Sequence, residues 1–562
     1  FRTVEEFARD IQRFLDGYPV DSRRGAWAYR TRKFVQRNRA VTALGVALAV
    51  SLLGFSLGMA LLARHAARER DTAEEVSQFL TDVFAAPTPS SARGKTVTAR
   101  EILDRGADRV NTSLRNKPEV QARMLVTLGS SYIQLGMEER GKELAEQALG
   151  LYERVLAKGT AGHADALHLM GLTFAGRDDQ KAREYFQQAL EIEKRVDPGG
   201  HERIARTLTA LGNAARNRGD YETAERLHRE AAAQVERNAG LRNETTLYVL
   251  SGLGTILRYR GKRKESTEVR RRALQASREL FGLNHPATAN SMSNLATDLA
   301  ADGNYAEAVP LMREAVELNK KIVGESHVSY ALAVSNLGAL LALSGRNAEA
   351  APQMREALEA YHRAGFGDSV ETGRVKHNLS RVLMANGDAA GAEQMCREAI
   401  AINSVKLGPR HPEIAQYTDT LGIMLRRQGR YLEGAEMHRK ALAIRRAALR
   451  PGHPGIAVSL VGLGAALAEA GKPREGEAYL REALAIREAE MAPGQWEISE
   501  VRSTLGNALL LQRRYAEAEP LLTRALGELE AKRGPTSREA AITRERVARL
   551  RREWRGAGAA AQ

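Results

Sequence analysis

The stretch SNLATDLAADGNYAEAVPLMREAVELNKKIVGESHVSYA, residues 293–331, carries a mark, Leu295-Ala296, that returns along the chain at a fixed distance. Steps of 42 residues from Leu211-Gly212 lead to Leu253-Gly254, Leu295-Ala296, Leu337-Gly338, Leu379-Ser380, Leu421-Gly422, Leu463-Gly464 and Leu505-Gly506. Upstream, Met170-Gly171 lies 41 residues before Leu211-Gly212 and Leu128-Gly129 a further 42, so ten copies run from about 120 to 530. A period of this length dictates a repeat architecture. In phase with it, Gly219, Gly303 and Gly429 each stand two residues before a Tyr, and pairs such as Ala189-Leu190, Ala357-Leu358 and Ala441-Leu442 follow. Between these marks apolar residues recur at three- and four-residue spacing, which is the helical period. Small residues let two helix backbones approach closely. Each unit is therefore predicted to be a helical hairpin, and because a lone hairpin cannot bury its apolar face, neighbours must stack.

Residues 293–331, together with DTLGIMLRRQGRYLEGAEMHRKALAIRRAALRPGHPGIA (419–457), resemble the tetratricopeptide repeat, in the 42-residue form found in kinesin light chains. The likeness loosens in the second copy, where GRDDQKA (176–182) lacks the aromatic residue. It implies an all-α superhelical solenoid whose first helices face a concave groove that holds a protein or peptide. Asn294, Asn336 and Asn378 each precede the Leu of their unit, a position that in the family faces the groove and can hold a peptide backbone. On the same resemblance Arg206, Asn213, Arg216, Arg258, Asn290, Thr297, Arg374, His377, Arg381 and Arg426 line it. Their excess of positive charge would suit an extended or acidic peptide through charge-assisted hydrogen bonds.

The formal net charge of +15 is not spread over such a groove. Residues 23–39 hold seven Lys or Arg and no acid, and residues 538–555 hold seven Arg against three Glu, so most of the excess sits at the two ends. That distribution argues against nucleic acid as the partner. The single cysteine, Cys396, excludes an intrachain disulfide framework, and its spacing places it in the core.

The chain begins at Phe1 without an initiator methionine, which suggests a piece of a longer product. Thr3 is a cap candidate for a helix over 3–16 with Val4, Phe7, Ile11, Phe14 and Leu15 on one stripe and Gly17 as its stop. VEEFARDIQRFLDGYPV followed by RRGAWAYRTRKFVQRNR resembles the last helix of the kinase C-lobe, and the linker after it, in bacterial transmembrane serine/threonine protein kinases. The resemblance implies a kinase remnant at 1–22, a basic juxtamembrane linker at 23–39, and a catalytic domain upstream that would use ATP and Mg; this stretch itself calls for no cofactor. Residues 40–63, AVTALGVALAVSLLGFSLGMALLA, carry no charge over 24 residues. A helix of that length reaches about 36 Å, enough to cross a hydrocarbon core of about 30 Å, so a single span in the lipid bilayer is predicted. Basic residues before it, and Arg64, Arg68 and Arg70 mixed with four acids after it, place the N-terminal part in the cytoplasm and the repeats outside the inner membrane, periplasmic or extracellular.

Residues 64–95 read as a polar helix and a linker containing AAPTPSSARGK, and 96–535 as the solenoid, opened by a half-repeat helix over 96–116. An arginine-rich capping helix facing solvent is expected over 536–556, and a disordered tail over 557–562. His201, His285, His327, His411 and His453 share one repeat phase, three of them followed by Pro, the residue favoured at a helix's first position. Stacked units stand about 10 Å apart whereas zinc ligands sit about 2 Å from one ion, so loop or cap duty and not metal binding is expected. No phosphate-binding loop, HExxH, GxSxG, His-Arg-Asp or Asp-Phe-Gly element occurs. The expectation is a binding scaffold: the sensory or scaffolding part of a membrane-anchored kinase, or, alternatively, a membrane-tethered assembly scaffold without kinase activity.

Overall fold

The computed structural model describes residues 3–23, 27–38, 99–199, 201–238 and 244–560, with scattered positions between 40 and 81. All described regular structure is helical, and it falls into two compact units, Phe1–Gly200 and His201–Gln562.

In the first unit Thr3 caps the helix Val4–Leu15, its hydroxyl accepting the Glu6 N–H at 3.3 Å. Asp10 accepts the backbone N–H of Asp21 at 2.6 Å and of Ser22 at 3.0 Å, which holds the following turn. Where the sequence reading expected a linker, Trp27–Arg37 is a helix. It holds neither Gly nor Pro, and its Arg, Lys and Gln lose little rotamer freedom in a helix. Of the predicted span 40–63, residues 50–60 are helical with Leu52, Leu53 and Phe55 exposed, while positions 41, 45, 46, 49, 61 and 62 lie outside the described residues. Among the described residues no helix is long and apolar enough to cross a membrane. The expected polar helix and linker at 64–95 fall almost wholly outside the described residues.

Ala99–Ser113 packs against Pro118–Gln134, burying Leu103, Ala107 and Val110 with Val120 and Leu125. It is the half-repeat expected there, and it covers the hairpin Pro118–Gln134/Glu138–Arg154. A second hairpin, Ala161–Phe174/Asp179–Val196, forms although its sequence match is the loosest.

The second unit repeats the motif eight times, from His201–Asn217/Tyr221–Asn238 to Trp496–Leu511/Tyr515–Arg533, and closes with Arg538–Ala560. That last helix runs past its expected end at 556, to Ala560. Residues 561–562 of the expected tail lie outside the described residues.

One buried ladder explains the 42-residue period. Leu144, Phe186, His228, Arg270, Met312, Met354, Cys396, His438, Leu480 and Leu522 follow one another at 42-residue intervals on the second helices, all almost fully buried. At seven of the ten hairpins the rung fills the space that the helical glycine of its own hairpin leaves open. A Cβ added to Gly338 would lie 2.7 Å from Met354 Cγ, and one on Gly506 would lie 2.7 Å from Leu522 Cγ. Between the helices the chain reverses through a left-handed glycine such as Gly303, at φ 79°, which a side chain would strain. Asn304 then caps the second helix, accepting the Glu307 N–H at 3.3 Å.

Candidate binding groove

From Pro286–Ala301 onward, every first helix of the second unit touches not only its own partner but also the first helix of the next hairpin, and the series ends with Arg538–Ala560. Helices that meet in this way lie on the shorter circumference of a superhelix, so their remaining exposed face is its concave side. Asn294, Asn290, Arg374 and Arg381 are exposed on these helices, as are Arg206 on His201–Asn217 and Arg258 on Glu244–Tyr259, and Asn336, Asn378 and Arg426 are half-buried.

Several predicted groove cations are already neutralised. Arg374 grips Glu413 through two hydrogen bonds of 3.0 Å, and Arg426 grips Glu469 at 3.0 and 2.7 Å. Arg258 approaches Asp298 at 3.9 Å. In the earlier hairpins Asn213 donates to the Tyr248 hydroxyl at 3.4 Å and Arg216 to the Asn217 carbonyl oxygen of its side chain at 3.1 Å. His377 is buried, stacked on Tyr417 at 4.2 Å between ring centroids and 3.0 Å from the Thr420 hydroxyl. Burial, and after it the charge of Arg381, pushes its pKa down to about 4, so it stays neutral and serves packing.

Two of the predicted residues do come together. Asn378 and Arg381 line a cavity of about 630 Å³ whose wall is drawn from Val328–Leu343, Val370–Ala385 and Pro412–Arg427, with Thr420, Ile423, Met424 and Arg427 on the third of these helices, and from Asn347 and Met354 of the second helix Asn347–Arg363. Across it stands Arg538, the first residue of the last helix, so the superhelix of this unit brings a helix four hairpins downstream back to this cavity. The last helix is thus no simple solvent-facing cap. Its Val547 and Leu550 are buried, and Arg546 Nη1 donates to the Ser503 hydroxyl at 2.9 Å. Burial lowers the Arg546 guanidinium to about 10 against the opposing pull of Glu469. Arg427, Arg538 and Arg546 were not among the residues the sequence pointed to. The signal for Arg546 was available: counting 42 residues four times from Asn378, past residue 535, ends on it.

Four of the five histidines of the shared phase are helix caps. His285, His327, His411 and His453 accept the N–H two residues on through Nδ1, at 3.2, 3.1, 3.2 and 3.0 Å, and His201 Nδ1 lies 2.7 Å from Gln234 Oε1.

A helical-hairpin solenoid of this kind is suited to protein–protein interaction. The chain belongs to the tetratricopeptide repeat family: the family model matches residues 120–195, 175–237, 244–321, 293–363, 371–431 and 417–489, over half the sequence. The tenth hairpin lies beyond the matched residues. Among solved structures, BtubC (BKLC) from P. vanneervenii is 22% identical, covering 41% of this chain and 93% of its own, with a TM-score of 0.37. A putative kinesin light chain of Podosopora anserina with nearly identical TPR-like repeats is 20% identical over 44% of this chain and 99% of its own, with a TM-score of 0.27. The apo form of RapI is 13% identical over 65% and 97%, with a TM-score of 0.47. These likenesses concern the helical-repeat fold. No curated protein matches the chain.

Proposed function

We propose that the chain binds a peptide or protein segment along the inner face of its second unit. The observation that carries this reading is the cavity of about 630 Å³ lined mainly by three consecutive first helices, with Asn378 and Arg381 beside an apolar floor of Leu343, Ile423 and Met424. Apolar pockets with a few convergent polar groups are the usual form of a binding site. Selecting random displayed peptides against the purified chain tests it. A recovered pool that binds the chain should lose affinity for the N294A/N336A/N378A variant, and an undiminished pool would remove the asparagine assignment.

In the fuller reading this groove is the sensory or scaffolding part of a membrane-anchored serine/threonine protein kinase whose catalytic domain, with its ATP and Mg, would precede Phe1. Its support is the likeness of residues 4–39 to the end of such a kinase domain, and the exposed apolar stripe of Val4, Phe7, Phe14 and Leu15, which a preceding domain could cover. The uncharged run 40–63 supports a tether, with the N-terminal part cytoplasmic and the repeats periplasmic or extracellular. The coding sequence upstream of Phe1 decides the first point: a Gly-rich loop, a strand lysine and the His-Arg-Asp and Asp-Phe-Gly elements are expected. Their absence would leave a tethered scaffold. Retention in membranes after alkaline extraction tests the tether.

A further inference from the structure

Arg381, Arg427 and Arg538 line one cavity with no carboxylate partner among the described residues, and no Asp or Glu is on its wall. Elsewhere in the chain such forks find carboxylates, singly as in Arg374 with Glu413 and Arg450 with Glu490, or in groups, as where Arg229, Arg260 and Lys262 share Glu225 and Arg397 and Arg430 share Glu393. At this cavity three forks stand together and none has a carboxylate among the described residues. A phosphoryl group, with close to two negative charges and three acceptor oxygens, can take several forks at once. Burial, and after it the like charges of Arg538 and Arg426, holds the Arg427 guanidinium below its ordinary value, and an anion would relieve that repulsion. Arg538 opens a 23-residue helix, so the positive end of a helix dipole stands at the same place. The Asn378 amide adds a donor, and Leu343, Ile423 and Met424 offer an apolar floor.

We infer that this cavity takes the phosphoserine or phosphothreonine side chain of a partner peptide, with a neighbouring apolar side chain of the same peptide on the floor. The inference rests on the groove reading given above. It also assigns the last helix a part in recognition, because Arg538 reaches a site built by helices four hairpins earlier.

Arrays of short synthetic peptides with random flanks and a central Ser, phosphoserine or Glu, probed with the purified chain and with the R381Q/R427Q/R538Q variant, test it. Phosphoserine peptides should be retained about tenfold or more above their Ser counterparts, an advantage of about 1.4 kcal/mol, and the variant should bring the two within about twofold. Unchanged helicity by circular dichroism shows that the variant folds; should it not, R538Q alone, at an exposed helix start, should still lower the preference about threefold. Glu peptides retained as well as phosphoserine peptides would overturn phosphate recognition in favour of carboxylates. A phosphoserine preference that survives in the variant, or retention blind to the central residue, would overturn this subsite and leave the groove standing. No peptide retained on any array would sink the groove reading and this inference together.

Discussion

His438 Nδ1 lies 2.8 Å from Asp419 Oδ1, with both side chains all but sealed from solvent. The ring is wedged between Gly422 and Gly462, where an added Cβ would come within 2.8 and 2.4 Å of it. The other oxygen of Asp419 takes the Ser459 hydroxyl and Arg445 Nη1, each at 2.8 Å. A single buried carboxylate thus ties three consecutive helices of two hairpins together. Asp419→Ala leaves Arg445 buried and unmatched, a change that typically costs about 3–5 kcal/mol. Urea titration should show the repeats around residue 440 unfolding first, read by hydrogen exchange. Protection there equal to the parent chain would refute the role given to Asp419.

His228 occupies the same rung five repeats earlier, with neither ring nitrogen partnered among the described residues. Burial, and then the charge of Arg216, lowers its pKa to about 4 from 6.5. Between those values the unfolded chain binds the extra proton, so this contribution is complete above about pH 6.5 and is lost as the pH falls toward 4. Linkage gives a loss of about 1 kcal/mol between pH 7.5 and 5.5 for this one histidine. In the H228L variant that part of the slope should vanish. An unchanged pH slope would show that His228 is solvated in the folded chain.

The architecture was legible because the fold repeats one packing solution, and a repeated small residue leaves a mark that survives variation around it. The ladder facing that mark was harder to see: its rungs are Leu, Phe, His, Arg, Met and Cys, and share only burial and register. Cavity-lining positions such as Asn378 and Arg381 could be named from repeat phase and the family resemblance. What phase could not supply is which cations are neutralised, since Arg374 and Arg426 find their acids one hairpin away, or that Arg538 returns to the cavity of Asn378. Both depend on superhelical pitch, which no single repeat contains.

Two helical glycines make a contrasting pair. A Cβ at Gly476 would stand 2.4 Å from the Gly464 carbonyl oxygen, a backbone atom that cannot turn aside, whereas one at Gly527 meets nothing within 4 Å. Gly476→Ala should destabilise by about 1–3 kcal/mol through overpacking. Gly527→Ala should stabilise by up to about 1 kcal/mol, because alanine is the better helix former. Thermal melts of the two variants against the parent chain decide it, and shifts of the same sign would show that helix crossing is not the constraint at Gly476.

Cys396 gives a built-in reporter of repeat opening. It is fully buried on the ladder, its Sγ donates to the Tyr417 carbonyl oxygen at 3.4 Å, and burial pushes the thiol up to about 12. Only the thiolate reacts with an alkylating reagent, and at pH 8 the folded chain holds almost none. Labelling should therefore require opening of the hairpin Val370–Ala385/Ala389–Leu407 against its neighbours, and its rate should rise with urea well before the helical signal is lost, since repeat arrays can open locally. The ladder also predicts which change accelerates it. Met354→Ala empties the rung one repeat earlier, at a cost of about 2–5 kcal/mol, and should speed labelling of Cys396 more than Leu522→Ala, three repeats on. Equal acceleration by both would mean that the second unit opens as one block and that the nearest-neighbour account of its stability fails.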